Sequence, residues 1–419
     1  MASLGCAMAI KIALAVLAAA SIGSVAFAQA PADPVAILVD HLGLEKYKAT
    51  IKGLTQFGDR RQGTARNRAA LDWIEAQLKA YGCTNTERLQ YDFTEPARRG
   101  PVQLQPVRAG GPAAQGGGTL FGKRAPIGVN TDPLAQPDEK LRALNAEQTP
   151  QGTSPRESVY CTKVGSMRPD EMYIVSAHMD GIGFGEAAND DGSGTALVME
   201  LARIFSLPGV ATERSIRFIL WNNEETGLNG AAAYVAQRQS LQGIESPKGS
   251  GRYPEPKWLG LIQHDMLLFD HGMPIPKLDA AGKPVLDARG QPVYTAPREQ
   301  RAEADVNIEF QVNARQADGA ARLAWALRAA NEKYATDYPA AVGNRMTNTD
   351  STPFMDVVPA VSVRENERGM QIGAGWNPHW HQPTDLYATY SDKDFLLGLN
   401  AAQTTLAAVA QLVGAQVKP

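Results

Sequence analysis

An apolar run from Met172 to Ala177 ends on His178. A second, Ser215 to Trp221, leads into Glu224-Glu225, and a third, Trp258 to Gln263, ends at Asp265. Between the first two lies Thr195 to Phe205, where Leu197, Leu201 and Ile204 recur with helical spacing. Short apolar runs alternating with helices bury both faces only as strands of one sheet covered by helices, which confines the chain to an α/β fold with a mostly parallel sheet. In such a sheet, ligands collect beyond the C-terminal ends of the strands. Ionisable residues stand at such places four times: His178, Glu224-Glu225, Asp265 and, in a loop before the last helix, His381.

The types of residue are as telling as their places. His178, Asp180, Asp190, Asp191, Glu224 and Glu225 fall within 48 residues. Imidazole and carboxylates delivered by separate strand ends suit a hard or borderline divalent cation. His178 and Asp180 are two apart, so on extended chain they point the same way, and the carboxylate can hold the imidazole. A solvent-facing pair is the plainer reading. Asp190 and Asp191 precede Gly192-Ser193-Gly194 and a helix for which Ser193 is an expected N-cap. One Asp can serve the helix N-terminus while the other approaches a neighbouring strand. Adjacent carboxylates at Glu224-Glu225 repel unless a cation or proton relieves them, and a glutamate beside a ligand glutamate is a ready general base. An exposed acidic loop is the alternative. His264 should face away from Asp265 and serve the core; His41, His271 and His379 carry no special signal.

Further helices are expected over Gly43–Gln56, Ala65–Tyr81, Gly230–Gln237, Ala320–Tyr334 and Asp392–Val413, and strands over Thr86–Phe93, Ser158–Val164 and Ala360–Val363. The first 28 residues read as a secretory signal: Lys11, an apolar run from Ile12 to Val25, and Ala26-Phe27-Ala28 at the cleavage positions. A membrane anchor is the alternative for that run; no later segment reads as a membrane span. Residues 29–42 read as a linker, and 43–419 as a single catalytic domain. It carries insertions at about 95–155, rich in Pro, Gly, Ala and Gln, and about 270–305, with turns at Asp279–Gly282 and Asp287–Gly290. Export permits disulfides, and Cys83 and Cys161, which remain after the signal, are an even count that could form one, two separate free thiols being the alternative. A formal charge of −3 offers no basic footprint for nucleic acid. Oligomeric state is not legible.

Taken together, His178-Met-Asp180, Asn189-Asp-Asp-Gly-Ser-Gly194, Glu224-Glu225, Asp265-Met266 and Trp380-His381-x-x-x-Asp385 resemble the M28 family of zinc peptidases. The family includes secreted bacterial aminopeptidases, glutamate carboxypeptidases and glutaminyl cyclase relatives. The resemblance implies a zinc-exopeptidase fold, a central mixed sheet flanked by helices on both faces. It implies two zinc ions held by His178, Asp190, Glu225, Asp265 and His381, with Asp190 bridging. Glu224 would deprotonate the water that the metals share, Asp180 would support His178, and Asp385 would support the ligand set from behind. The chain departs from the family twice. Trp380 stands where several members have Tyr, leaving an indole N–H as oxyanion or pocket group, as in the cyclases. Asn348–Thr352 stands where a Ser-Asp-His often precedes Pro-Phe. The resemblance therefore implies a secreted or periplasmic aminopeptidase acting on peptides. The alternatives are a carboxypeptidase or dipeptidase using Arg345 or Arg364 for a substrate carboxylate, a one-zinc glutaminyl cyclase, or an inactive binding module.

Overall fold

In the computed structural model, the described residues are 33–83, 85–95, 129–270, 277–288, 290, 293, 306–365, 377 and 379–418. The expected signal and His271 lie outside them, as does most of the segment between 95 and 129.

In chain order the elements are α1 (Pro34–Asp40), α2 (Leu44–Thr55), α3 (Ala65–Ala80), β1 (Thr86–Glu95), α4 (Glu139–Leu144), β2 (Gly152–Lys163), β3 (Arg168–His178) and α5 (Gly192–Phe205). Then come β4 (Val210–Ala211), β5 (Arg214–Trp221), α6 (Asn229–Arg238), β6 (Lys257–His264), β7 (Val306–Phe310), α7 (Ala317–Tyr334), β8 (Ala340–Gly343), β9 (Ala360–Glu365), α8 (Asp392–Leu412) and β10 (Gln416–Val417). Eight strands form one sheet in the order β1-β2-β5-β3-β6-β9-β7-β8. The centre, β5-β3-β6-β9, is parallel throughout, while β1 and β2 on one side and β7 against β9 on the other run antiparallel. The fold is thus the expected mixed, mostly parallel α/β sheet.

Strand alternation explains why helices cover both faces. On β5, Ile216, Phe218 and Leu220 join the core beneath α2, α3, α5, α7 and α8, whereas Ile219 and Trp221 join a second core with Tyr234 of α6, Trp258 and Phe354. With no solvated face, these strands are apolar throughout rather than alternating. Cys83 and Cys161 are joined, their Cα atoms 6.0 Å apart, because Thr86 pairs with Cys161 across β1 and β2.

Several expectations are corrected. The supposed linker holds α1: Asp33 caps it through Val35 N, proline sits in its first turn, and Val35, Leu38 and Val39 are buried. Pro34 starts this helix rather than breaking the chain. The insertion from 95 to 155 is not irregular throughout, since α4, capped by Asp138, and the first part of β2 fall inside it. Asp191, not Ser193, caps α5 by accepting from Gly194 N, and the Ser193 hydroxyl instead donates to Asn189 O. One described helix, α8, has the length and apolarity of a membrane span, yet 78% of its apolar window is buried in the fold. A helix enclosed on all sides reaches that composition without a membrane. In the second insertion, Leu278 bridges Pro284, with turns closing at Gly282 and Gly290 as expected.

Candidate metal centre

The parallel strands β3, β5, β6 and β9 end at one edge, and each delivers a polar side chain there or just beyond. His178 is the last residue of β3. Its Nδ1 donates to the backbone carbonyl of Asp180 at 3.0 Å, which leaves Nε2 for the cavity. The Asp180 carboxylate was expected to do this, but its Oδ1 is 3.9 Å away and accepts from Glu224 N at 3.1 Å. The chain leaves extended conformation after His178, so the two-residue periodicity that would align the side chains no longer applies. Asp180 thereby holds the loop after β5 against the end of β3.

The two neighbouring aspartates divide as expected. Asp191 ties three elements together: Oδ2 accepts from His178 N at 3.1 Å, and Oδ1 from Gly194 N at 2.9 Å and Met266 N at 3.2 Å. Asp190 faces the cavity, its Oδ1 3.3 Å from His178 Nε2 and its Oδ2 3.0 Å from His381 Nε2. Asp265 Oδ1 lies 3.8 Å from His178 Nε2, and Glu225 Oε2 lies 2.9 Å from His381 Nε2. Asp190 points one oxygen at each imidazole, which groups the donors as His178–Asp190–Asp265 and His381–Asp190–Glu225, while the donor atoms that lie within 4.8 Å of one another are those of His178–Glu224–Asp265 and of His178–Asp190–Glu225. Glu224 stands beside the first set, within 4.8 Å of His178 and Asp265. Asp385 supports the shared residue from behind, accepting from Asn189 N and Asp190 N at 2.9 and 3.1 Å and from the Tyr390 hydroxyl at 2.9 Å.

These distances fit divalent cations. Donors placed tetrahedrally about 2.1 Å from one ion lie roughly 3.4 Å from each other. Asp190 Oδ2, Glu225 Oε1 and His381 Nδ1 are buried without a hydrogen bond among the described residues, although Asp190 Oδ2 is 3.0 Å from an imidazole nitrogen. His381 Nε2 lies 3.0 Å from Asp190 Oδ2 and 2.9 Å from Glu225 Oε2, so imidazole and carboxylates meet one another where a cation would lie between them. The electrostatics agree. Burial drives Glu224 well above the usual carboxylate range, Glu225 beside it adding to the shift, and burial raises Glu225 to about 7. Burial works against His381, but Glu225 and Asp190 push it up to about 11; burial likewise opposes ionisation of Asp190, yet His178 and His381 hold it down to about 2. Carboxylates crowded out of water need positive charge, and among the described residues His178, His381 and Arg364 supply it.

The side chains surround a cavity of about 280 Å³, bordered also by Leu228, Thr347, Asn348, Arg364 and Trp380. Trp380 stacks on His381 with ring centres 4.0 Å apart. Arg364 donates to Asp265 Oδ2 at 2.6 Å, whereas Arg345 is exposed and does not line the cavity. His264 serves the core as expected, bridging Ser176 O and Thr405 Oγ1, and its pKa falls to about 4 through burial. Sequence reasoning missed Asp350. It is fully buried, neither carboxylate oxygen has a hydrogen-bond partner among the described residues, and burial raises it far above its usual range, with Asp180 and Asp265 adding to the effect. Its signal lay in Asn348–Thr352, where the missing histidine drew attention from the aspartate before it.

The chain is similar to known peptidases. Residues 159–250 match the model of Peptidase family M28. Aminopeptidase YwaD of Bacillus subtilis is 46% identical over 67 residues, 16% of this chain and 14% of the relative. Carboxypeptidase Q of Xenopus laevis is 38% identical over 71 residues, 17% and 15% of the two chains. The matched stretches thus span about a seventh of either relative. Among solved structures, BSAP, a zinc aminopeptidase from Bacillus subtilis, superposes with a TM-score of 0.55 at 16% identity, covering 89% of this chain and 96% of that one. A Porphyromonas gingivalis glutaminyl cyclase gives 0.52 at 14% identity, covering 89% and 99%. The segment that resembles Peptidase family M28 carries His178 at the end of β3, Asp190 in the turn into α5 and Glu225 in the loop after β5, and the solved structures share this α/β fold.

Proposed function

We propose that this chain is an exported di-zinc exopeptidase that removes N-terminal residues from peptides. The observation that carries the reading is the pair of ligand sets, His178–Asp190–Asp265 and His381–Asp190–Glu225, sharing the two oxygens of Asp190 with Glu224 alongside. Five donor residues, the shared Asp190 among them, exceed what one tetrahedral ion needs, which favours hydrolysis over one-zinc cyclisation. Export is supported by the apolar N-terminal run and by the Cys83–Cys161 disulfide, which persists in oxidising compartments.

Zinc, when bound, makes a water acidic near neutral pH and polarises the scissile carbonyl. Asp180 fixes the backbone of Glu224, so the Glu224 carboxylate is presented to the cavity in a set position. Glu224 takes a proton from the attacking water as its oxygen bonds to the carbonyl carbon, then delivers a proton to the leaving nitrogen as the C–N bond breaks. One water is consumed, and acid and amine are released. Asp385 holds the turn that carries Asp190, Asp191 ties that turn to the end of β3, and Trp380 borders the cavity beside His381.

The free α-amine is the favoured anchor. Asp190, Glu224, Glu225 and Asp265 all line the cavity, and its guanidinium, Arg364, already bonds Asp265. A substrate carboxylate finds less to hold it there than an ammonium does. Mass spectrometry of leucine-led and glutamine-led peptides, each free and N-acetylated, tests this. Loss of the first residue from the free peptides, strongly slowed by acetylation, is the expected result. Release from the C-terminal end, or pyroglutamate formation without cleavage, would overturn it.

A further inference from the structure

Arg364 lies near the end of β9 with its side chain 3% exposed. Nη1 donates to Asp265 Oδ2 at 2.6 Å, Nη2 rests 3.7 Å from Met266 Sδ, and Nε is buried without a hydrogen-bond partner among the described residues. The other carboxylate near it, Glu309, is taken up by Thr347 N and Asn307 Nδ2, both at 2.7 Å. The second oxygen of Asp265, Oδ1, faces His178 Nε2 at 3.8 Å. One carboxylate therefore stands between a guanidinium and the position a cation would take. Arginine does not give up its proton in proteins, so the positive charge is permanent.

Nothing in the coordination itself calls for this charge, since His178, Asp190 and Asp265 complete a three-donor set without it. A buried cation beside a cation site weakens the binding of the metal, because two positive charges a few ångströms apart repel strongly where water is scarce. What the arrangement yields is control over the carboxylate. With Oδ2 occupied, Asp265 offers one oxygen only, and part of its charge is drawn towards the guanidinium. An ion held this way is less neutralised by its ligands and attracts electrons from a carbonyl more strongly.

We propose that Arg364 is a positioning residue that restricts Asp265 to a single donor oxygen and tempers its charge, at the expense of metal affinity. The inference rests on the metallopeptidase reading and adds to it. The test strips the full chain of metal and titrates it with Co²⁺ against a competing chelator. The step belonging to the His178–Asp265 set is identified as the one that Asp265→Asn removes. Arg364→Met, and Arg364→Gln in case the first fails to fold, should tighten that step on the order of tenfold or more by removing the opposing charge. Arg364→Lys, which keeps the charge, should bind Co²⁺ as the parent does, and turnover by the Met and Gln variants should fall in kcat more than it rises in KM. Unchanged or weaker Co²⁺ binding in the Met and Gln variants would overturn the proposal. Failure of both to fold would also overturn it, by giving Arg364 a packing role instead. If the stripped parent takes up no Co²⁺ at all, the metallopeptidase reading fails; two steps insensitive to Arg364 defeat this inference alone.

Discussion

Asp190 and Asp191 are adjacent, chemically identical and employed in opposite directions. Asp191 turns into the protein and accepts three backbone N–H groups from β3, α5 and the turn after β6, while Asp190 turns out towards two imidazoles. That one of the pair would serve the helix and the other the site was legible, because a helix N-terminus and a ligand set each need a carboxylate. Which was which depended on the turn between strand and helix, and the local sequence does not carry that information. Asp180 shows the same limit: its importance was readable, but its partner is the Glu224 backbone rather than the His178 ring. Glu224 and Glu225 divide similarly, Glu225 contacting His381 and Glu224 standing near His178 and Asp265. Glu224→Gln keeps the shape of the side chain and removes its capacity to accept a proton at neutral pH. Turnover on a free-amine peptide should drop on the order of a hundredfold or more, with bound metal unchanged by elemental analysis. Metal loss together with activity would move Glu224 into the ligand set.

At the scale of elements, apolar content decided what could be read. The central strands and the long helices were legible because burial on both faces leaves unbroken apolar runs, and because helical stripes repeat over several turns. The short pieces were not. In β7, buried Asn307 and Glu309 interrupt the apolar pattern, Glu309 accepting from Asn307 Nδ2 and from Thr347 N, distant in sequence, and α1 was hidden behind its own proline. The disulfide was an inference about elements more than about cysteines: Cys83 enters β1, Cys161 lies within β2, and the register of that pair brings them together. They are 78 residues apart. Closing a loop of that order stabilises by about 4 kcal/mol, chiefly by restricting the unfolded chain. The double variant Cys83→Ala/Cys161→Ala should therefore unfold at a clearly lower denaturant concentration while binding metal normally when folded. Equal midpoints for the oxidised parent and the variant would show that the bridge contributes nothing to stability.

Across the whole molecule, the sheet order and the site form one argument. Placing β3 between β5 and β6, with β9 beyond, aligns the C-terminal ends of four parallel strands, so residues 178, 224–225 and 265 meet although the chain separates them by tens of residues. His381 arrives from outside the sheet, positioned by a loop whose Asp385 also holds the backbone of Asp190. Gly183 lets the loop after β3 pass directly against the His381 carbonyl, where any side chain would collide and where its φ of 95° suits glycine. Such convergence of ligands from five segments on one shared carboxylate is the central claim, and metal stoichiometry tests it most directly. Elemental analysis of the purified protein should give two divalent ions per chain. Glu225→Ala should retain one of them, and Asp190→Ala, which removes the donor common to both sets, should retain neither at full occupancy. A parent with a single ion, or an Asp190→Ala variant that still holds two, would contradict the account.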